Sequence, residues 1–117
     1  MPAIIASDTL RSTPSRTARF DGVAHGSPVS FFLVENEPGQ GSALHVHPYI
    51  ETWIVRSGEV EFTVGQEKLR ARGGDIVVGP AGVPHKFVNV GTGQLELVGI
   101  HASDRILQDL VDESASA

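Results

Sequence analysis

The 117-residue chain contains no cysteine and has few basic side chains. Without cysteine it cannot form a disulfide framework, a thiolate zinc site or a cysteine nucleophile, so any metal must be bound by histidine and carboxylate side chains. No apolar run approaches the roughly 18–20 residues that are needed to cross a bilayer. Basic residues are not clustered, and the formal net charge of −5 argues against nucleic acid as a partner.

The N-terminus also lacks the basic region and apolar stretch of a secretory signal, so a cytoplasmic protein is the default expectation. The length fits a single domain with one core. Thirteen glycines and seven prolines lie between short apolar runs, which is typical of tight turns and short strands. Roughly eight such runs predict an all-β, antiparallel sandwich or barrel.

Three regions can be distinguished along the chain. Residues 1–17 are rich in Ser, Thr and Arg, and we expect a flexible arm, or an arm that adds a strand to its own sheet or to a partner's. Residues 18–102 contain the predicted barrel. A stripe at helical spacing predicts a short helix and a tail over residues 103–117. The stripe consists of Ile106, Leu107, Leu110 and Val111.

One hairpin can be predicted with its register. Residues 59–64 alternate between apolar and polar side chains, and the Gly65-Gln66 pair that follows suits a two-residue type II′ turn. That turn places Phe62 opposite Leu69 on the neighbouring strand.

The chain's most informative stretch contains His45, His47 and Glu51 within seven positions. Side chains two apart on a strand point to the same face, so both imidazoles share a face. A carboxylate beside two imidazoles is a typical donor set for a first-row transition metal, and His85 offers a third imidazole. Two histidines at this spacing are also common as exposed polar residues, but the combination with Glu51 and His85 favours a metal site.

Two motifs in the chain resemble those of the cupin family. The first reads G-x5-H-x-H-x3-E-x6-G, and the second reads G-x5-P-x-G-x2-H-x3-N. Their positions here are Gly39, His45, His47, Glu51 and Gly58, followed by Gly74, Pro80, Gly82, His85 and Asn89. Ten identities at fixed spacing make the resemblance specific, and it covers about residues 29–101.

The resemblance implies an antiparallel jelly-roll barrel, usually as a homodimer. Carried over by position, it implies that His45, His47, Glu51 and His85 bind one divalent metal ion, which could be Fe, Mn, Ni, Zn, Co or Cu. Six-coordinate geometry then leaves two positions for water, substrate or oxygen.

Other side chains are weaker candidates for the site. Glu51 could act as a catalytic base, and Tyr49 as a hydrogen-bond donor or acid, unless Tyr49 is simply a surface residue. Trp53 lies two positions beyond Glu51 and should point into the same cavity, where Trp53 and Phe62 either form a substrate pocket or fill the core. His25 and His101 have no spacing that ties them to the metal site, and we expect His101 to be a polar strand-end residue.

Three kinds of function are compatible with these residues, because a fold does not determine a reaction. The favoured prediction is a small metal-dependent enzyme, a dioxygenase acting on a small organic substrate. The alternatives are redox-neutral isomerase, decarboxylase or lyase chemistry at the same ion, and a binding protein without turnover.

Overall fold

The protein is all-β, with its strands arranged in two antiparallel sheets. A computed structural model describes residues 2–12 and 16–113. The strands in these residues are β1 (Arg11–Ser12), β2 (Thr17–Phe20), β3 (Ser30–Asn36), β4 (His45–Val46), β5 (Glu51–Ser57), β6 (Glu59–Val64), β7 (Glu67–Arg72), β8 (Ile76–Gly79), β9 (His85–Asn89), β10 (Leu95–His101) and β11 (Asp109–Leu110).

The two sheets face each other across a single core. The first has the strand order β1-β2-β3-β10-β5-β8, and the second has the order β11-β4-β9-β6-β7. The jelly-roll barrel expected from the resemblance is confirmed. Alternate side chains of each strand point inward, which is why the buried positions recur with period two along β5 and β10. The core combines Val34, Trp53, Val55, Leu95 and Leu97 from the first sheet with Val60, Phe62 and Ala71 from the second.

The predicted hairpin has the expected register. Phe62 pairs with Leu69 across β6 and β7. Gly65 has a φ of 61°, whereas Gln66 has no positive φ, as the first and second loop positions of a type II′ turn require. Phe62 is fully buried, but Leu69 is 38% exposed because β7 is an edge strand of its sheet.

The described part of the N-terminal arm pairs with its own chain. Arg11 and Ser12 lie opposite Ala18 and Thr17, so β1 extends the first sheet beyond β2. Residues 1 and 13–15 of the predicted arm lie outside the described residues. Exchange of the arm between two subunits stays a prediction.

The predicted C-terminal helix was wrong for the described residues. Asp109 and Leu110 instead form β11, which pairs with Val46 and His45 of β4. The cause is physical: so short a segment is marginal as an isolated helix, whereas the free edge of β4 offers backbone partners. Residues 114–117 of the predicted tail lie outside the described residues.

Two short 3₁₀ turns have assigned bounds in the described ranges, Ser7–Leu10 and Gly22–His25. Among those residues there is no helix with the length and hydrophobicity required to span a membrane.

Candidate metal centre

Three strands bring the four predicted ligands together inside the barrel. His45 of β4 lies directly opposite His85 of β9, and Glu51 begins β5. His47 follows β4 immediately. All four side chains are buried, and each offers one ligand atom within 4.8 Å of the others. The structure therefore assembles the whole set that the two motifs predict.

Backbone carbonyls select the same tautomer in all three imidazoles. His45 Nδ1 lies 2.7 Å from Ala43 O, and His47 Nδ1 lies 2.8 Å from Tyr49 O. His85 Nδ1 lies 3.1 Å from a third carbonyl oxygen, Val83 O. A carbonyl oxygen can only accept, so each Nδ1 donates its hydrogen and each Nε2 keeps a lone pair. The ligands are preset with their basic nitrogens pointing into the site.

Those lone pairs meet a carboxylate. Glu51 Oε1 lies 2.9 Å from His47 Nε2 and 3.2 Å from His85 Nε2. His85 Nε2 is buried and has no hydrogen-bond partner. Acceptors packed this closely without donors are unfavourable, and a divalent cation among them removes the conflict. The donor set thus fits a transition metal: three neutral imidazoles and one carboxylate.

Electrostatics keep the ligands in the forms that bind metal. Burial alone would raise the pKa of Glu51, but the neighbouring imidazoles, His101 first among them, hold that pKa well below its usual range. Burial lowers the pKa of His45, an effect that the Ala43 carbonyl only partly offsets. At neutral pH, Glu51 is therefore a carboxylate and His45 a neutral imidazole.

A cavity of about 170 Å³ adjoins the ligands. His45 and Glu51 line it together with aromatic and aliphatic side chains. Its apolar wall is formed by Phe32, Val34, Trp53 and Phe87, and its polar wall by Thr17, Asn36, Ser42 and Gln108. Within the described residues, the lining contains no lysine or arginine.

The predicted pocket residues occupy different places. Trp53 lines the cavity and contacts the edge of the His85 ring, with the ring centroids 5.0 Å apart. Phe62 packs against Trp53 in the core, at a centroid distance of 4.7 Å, and is not part of the cavity lining. Asn89 bonds to Asn36 O and Gly93 O, so it braces a turn.

Comparison with known proteins supports what the motifs suggest. The Cupin domain family matches residues 32–101, which is more than half of the chain. The chain belongs to the cupin family. Both cupin motifs are complete in this chain, and all four residues of the candidate metal site belong to them.

The relatives of this cupin are larger proteins. Xanthan biosynthesis protein XanB from Xanthomonas campestris pv. campestris is 30% identical over 91 residues, which cover 77% of this chain and 20% of that protein. The same protein from a second strain, B100, gives the same identity and coverage. This chain thus spans about a fifth of the length of the curated relatives that it matches.

Solved structures agree on the fold. Oxalate decarboxylase of Bacillus subtilis, studied for its Mn(II) centres, superimposes with a TM-score of 0.78 at 23% identity, covering 87% of this cupin and 29% of that chain. A mutant of the same enzyme gives a TM-score of 0.76, also at 23% identity, and covers 86% of this cupin and 29% of that chain. At this identity the likeness shows the fold alone.

His101 is a part of the site that its position in the sequence did not reveal. His101 is buried, with Nε2 3.3 Å from Glu51 Oε2 and Nδ1 2.6 Å from the Tyr49 hydroxyl. A usable signal existed: Leu95, Leu97 and Gly99 alternate along β10, and His101 continues their buried face. His25, by contrast, is exposed and stacks on Phe20.

Gly99 provides a test of how tightly Glu51 is held. A Cβ added at Gly99 would collide with Glu51 Oε2 and approach the Trp53 ring. We expect Gly99→Ala to displace the carboxylate and weaken metal affinity by about 10- to 100-fold, as for other changes that misorient a ligand. Isothermal titration with Co(II) measures the affinity.

Gly93→Ala is the matched control, because an added Cβ there meets no heavy atom within 4 Å. It should bind Co(II) like the wild type. Equal affinity of the Gly99→Ala and wild-type proteins would contradict the tight placement of Glu51.

Proposed function

We propose that this cupin is a metal-dependent enzyme that acts on a small, largely apolar organic substrate, with dioxygen as the second reactant. The observation that carries the proposal is the cavity beside the ligands, which His45 and Glu51 line together with Trp53. A merely structural metal site would have no need of such a space. Four protein ligands would leave two positions of a six-coordinate ion open. A redox-active ion such as Fe(II) would mediate electron transfer from the substrate to dioxygen, and both oxygen atoms would enter the product.

The cavity wall supports an uncharged substrate. Phe32, Val34, Trp53 and Phe87 offer apolar and aromatic contacts, which suit an aromatic or diketone-like molecule. Phosphate and carboxylate groups are usually recognised by arginine or lysine, and neither lines the described cavity. The apolar lining and the absence of arginine and lysine from the described cavity therefore disfavour phosphorylated sugars and small dianions as substrates.

The chain's own residues have distinct roles in this proposal. His45, His47 and His85 would hold the ion with their Nε2 atoms. Glu51 would bind it through Oε1, and because Glu51 lines the cavity, we propose that its carboxylate also accepts a proton from a bound substrate. Trp53 excludes water from one wall.

Redox-neutral chemistry is the second candidate. It is favoured by the structural likeness to oxalate decarboxylase, an enzyme with Mn(II) centres. The absence of a cationic residue from the described lining makes a dianion a poor substrate here. A binding protein without turnover is the remaining outcome.

An activity screen separates these candidates. Protein loaded with Fe(II) or Mn(II) would be assayed for oxygen uptake with diketones and catechol-like compounds, and for carbon dioxide release from oxalate, with His47→Ala as the control. Our proposal predicts oxygen uptake with the apolar compounds only. Carbon dioxide release without net oxygen consumption would support the lyase instead, and binding without turnover in either metal form would support a binding protein.

We also propose that the protein is a homodimer. The edge strand β8 exposes Ile76 (67%) and Val78 (59%) on the outer face of the first sheet, next to Ile54 of β5. A second copy covering this face would bury the apolar surface and the strand edge. Sedimentation of the wild type should show a dimer, and Ile76→Lys should dissociate it. Leu110 is exposed on the other sheet, so the control Leu110→Lys should leave the dimer intact. A monomeric wild type at tens of micromolar would contradict the proposal.

A further inference from the structure

A chain of polar contacts runs from the C-terminal segment to the metal ligands. The Leu107 backbone N–H donates to the Tyr49 hydroxyl at 3.1 Å. The Tyr49 hydroxyl lies 2.6 Å from His101 Nδ1, and His101 Nε2 lies 3.3 Å from Glu51 Oε2. His101 and Glu51 are both buried. His101 lies outside both cupin motifs, so the motifs do not predict its contacts with Tyr49 and Glu51.

The chemistry of the groups gives this chain a direction. A backbone N–H can only donate, so Leu107 occupies a lone pair of the Tyr49 oxygen and leaves the phenolic hydrogen available. That hydrogen donates to His101 Nδ1, which places the ring's own hydrogen on Nε2, facing the Glu51 carboxylate.

The opposite tautomer leaves two acceptors facing each other. If His101 Nδ1 carried the hydrogen, its bare Nε2 lone pair would point at Glu51 Oε2 in a buried site. The phenolic hydrogen would also lose its nearest acceptor. His101 Nε2 makes no hydrogen bond of standard geometry, although Glu51 Oε2 lies 3.3 Å away, so no donor would offset that cost.

His101 therefore differs from the three ligand imidazoles. His45, His47 and His85 donate from Nδ1 to backbone carbonyls and direct lone pairs into the site. His101 has a hydroxyl at Nδ1 in place of a carbonyl, so its Nε2 is a donor and unsuited to bind a cation. Its contact is with Oε2, whereas His47 and His85 approach Oε1.

We propose that His101 is a positioning residue for Glu51, and that Tyr49 and the Leu107 amide set its tautomer. By holding Oε2 through its Nε2–H, His101 turns Oε1 toward the ligand imidazoles. This inference deepens the proposed function and rests on it for the role of the metal. It also couples the C-terminal segment to the site, since the Leu107 amide belongs to the same segment that bonds to the edge of β4.

The tautomer can be tested without any metal. Long-range ¹H–¹⁵N spectra of metal-free protein at neutral pH should show His101 protonated on Nε2 and the three ligand histidines protonated on Nδ1. The His101 signals are assigned by their loss in His101→Gln. Tyr49→Phe should abolish the preference of His101 for Nε2–H. An Nδ1–H tautomer at His101 in the wild type would overturn the proposal.

The positioning role is tested by Co(II) affinity and by the visible spectrum of the bound Co(II). His101→Phe, which has no donor, should weaken binding by about 10- to 100-fold and change the spectrum. His101→Gln keeps an N–H that can reach Oε2 and should recover most of the affinity. A merely structural role would lower the thermal stability of both variants without this rescue.

Two outcomes separate this inference from the proposed function. Wild-type affinity and spectrum in a folded His101→Phe would overturn the inference while leaving the metal site intact. If the wild type bound no Co(II), the proposed function would fail, and the tautomer pattern would still decide whether His101 holds Glu51. His25→Gln, at an exposed histidine, is the control and should change neither readout.

Discussion

Replacing His47 with alanine is expected to abolish stoichiometric metal binding. His47 is buried, its Nδ1 is fixed by the Tyr49 carbonyl, and its Nε2 lies 2.9 Å from Glu51 Oε1. Changing a residue that only positions a ligand lowers metal affinity by about 10- to 100-fold. Because His47→Ala removes a ligand itself, its metal affinity should fall by more than that. Titration with Co(II) or Mn(II), monitored by calorimetry, gives the affinity of each protein.

His25→Ala is the control for this variant. It removes the same side chain from an exposed position, where the ring only stacks on Phe20. Its metal affinity should equal that of the wild type. A His47→Ala protein that still binds one equivalent with comparable affinity would show that the ion lies elsewhere or needs only the other side chains.

Phe62→Ala is expected to cost about 3–5 kcal/mol in the free energy of unfolding, as for other buried phenylalanines. Phe62 is fully buried between the sheets and contacts the rings of Trp53 and Phe87. Domains of this size are stable by about 5–15 kcal/mol, so the loss should be a large part of the total. Guanidinium unfolding of the metal-free proteins measures it.

Leu69→Ala is the matched control, because Leu69 pairs with Phe62 across the hairpin but is 38% exposed. Its cost should be about 1 kcal/mol or less. If Phe62→Ala lost no more stability than this control, Phe62 would not be the core residue described here, and its predicted place in the substrate pocket would regain support.

The parts of the fold that were predictable from sequence are those with local determinants. The β6–β7 register follows from a two-residue turn and an alternating strand, both within a few positions of Gly65. The ligand cluster follows from motif spacing, since strand parity puts His45 and His47 on one face. Neither conclusion requires knowledge of distant parts of the chain.

The parts that were not predictable depend on long-range pairing. β11 exists because the edge of β4, more than 60 positions earlier, accepts its backbone, and a two-residue strand carries no periodic signal of its own. His101 meets Tyr49 only because β10 lies beside β5 in the first sheet. Strand parity indicated the buried face of His101, but its partners required the topology.

The measurement that tests the account most directly is the elemental analysis of protein purified without chelators or nickel resin. We predict about one equivalent of a first-row transition metal per chain, and we expect that the metal can be removed and restored. Iron or copper in the protein would favour the proposed oxygen chemistry. Manganese, zinc or nickel would favour the redox-neutral alternative. Protein that carries no metal, and binds none when titrated, would contradict the central claim.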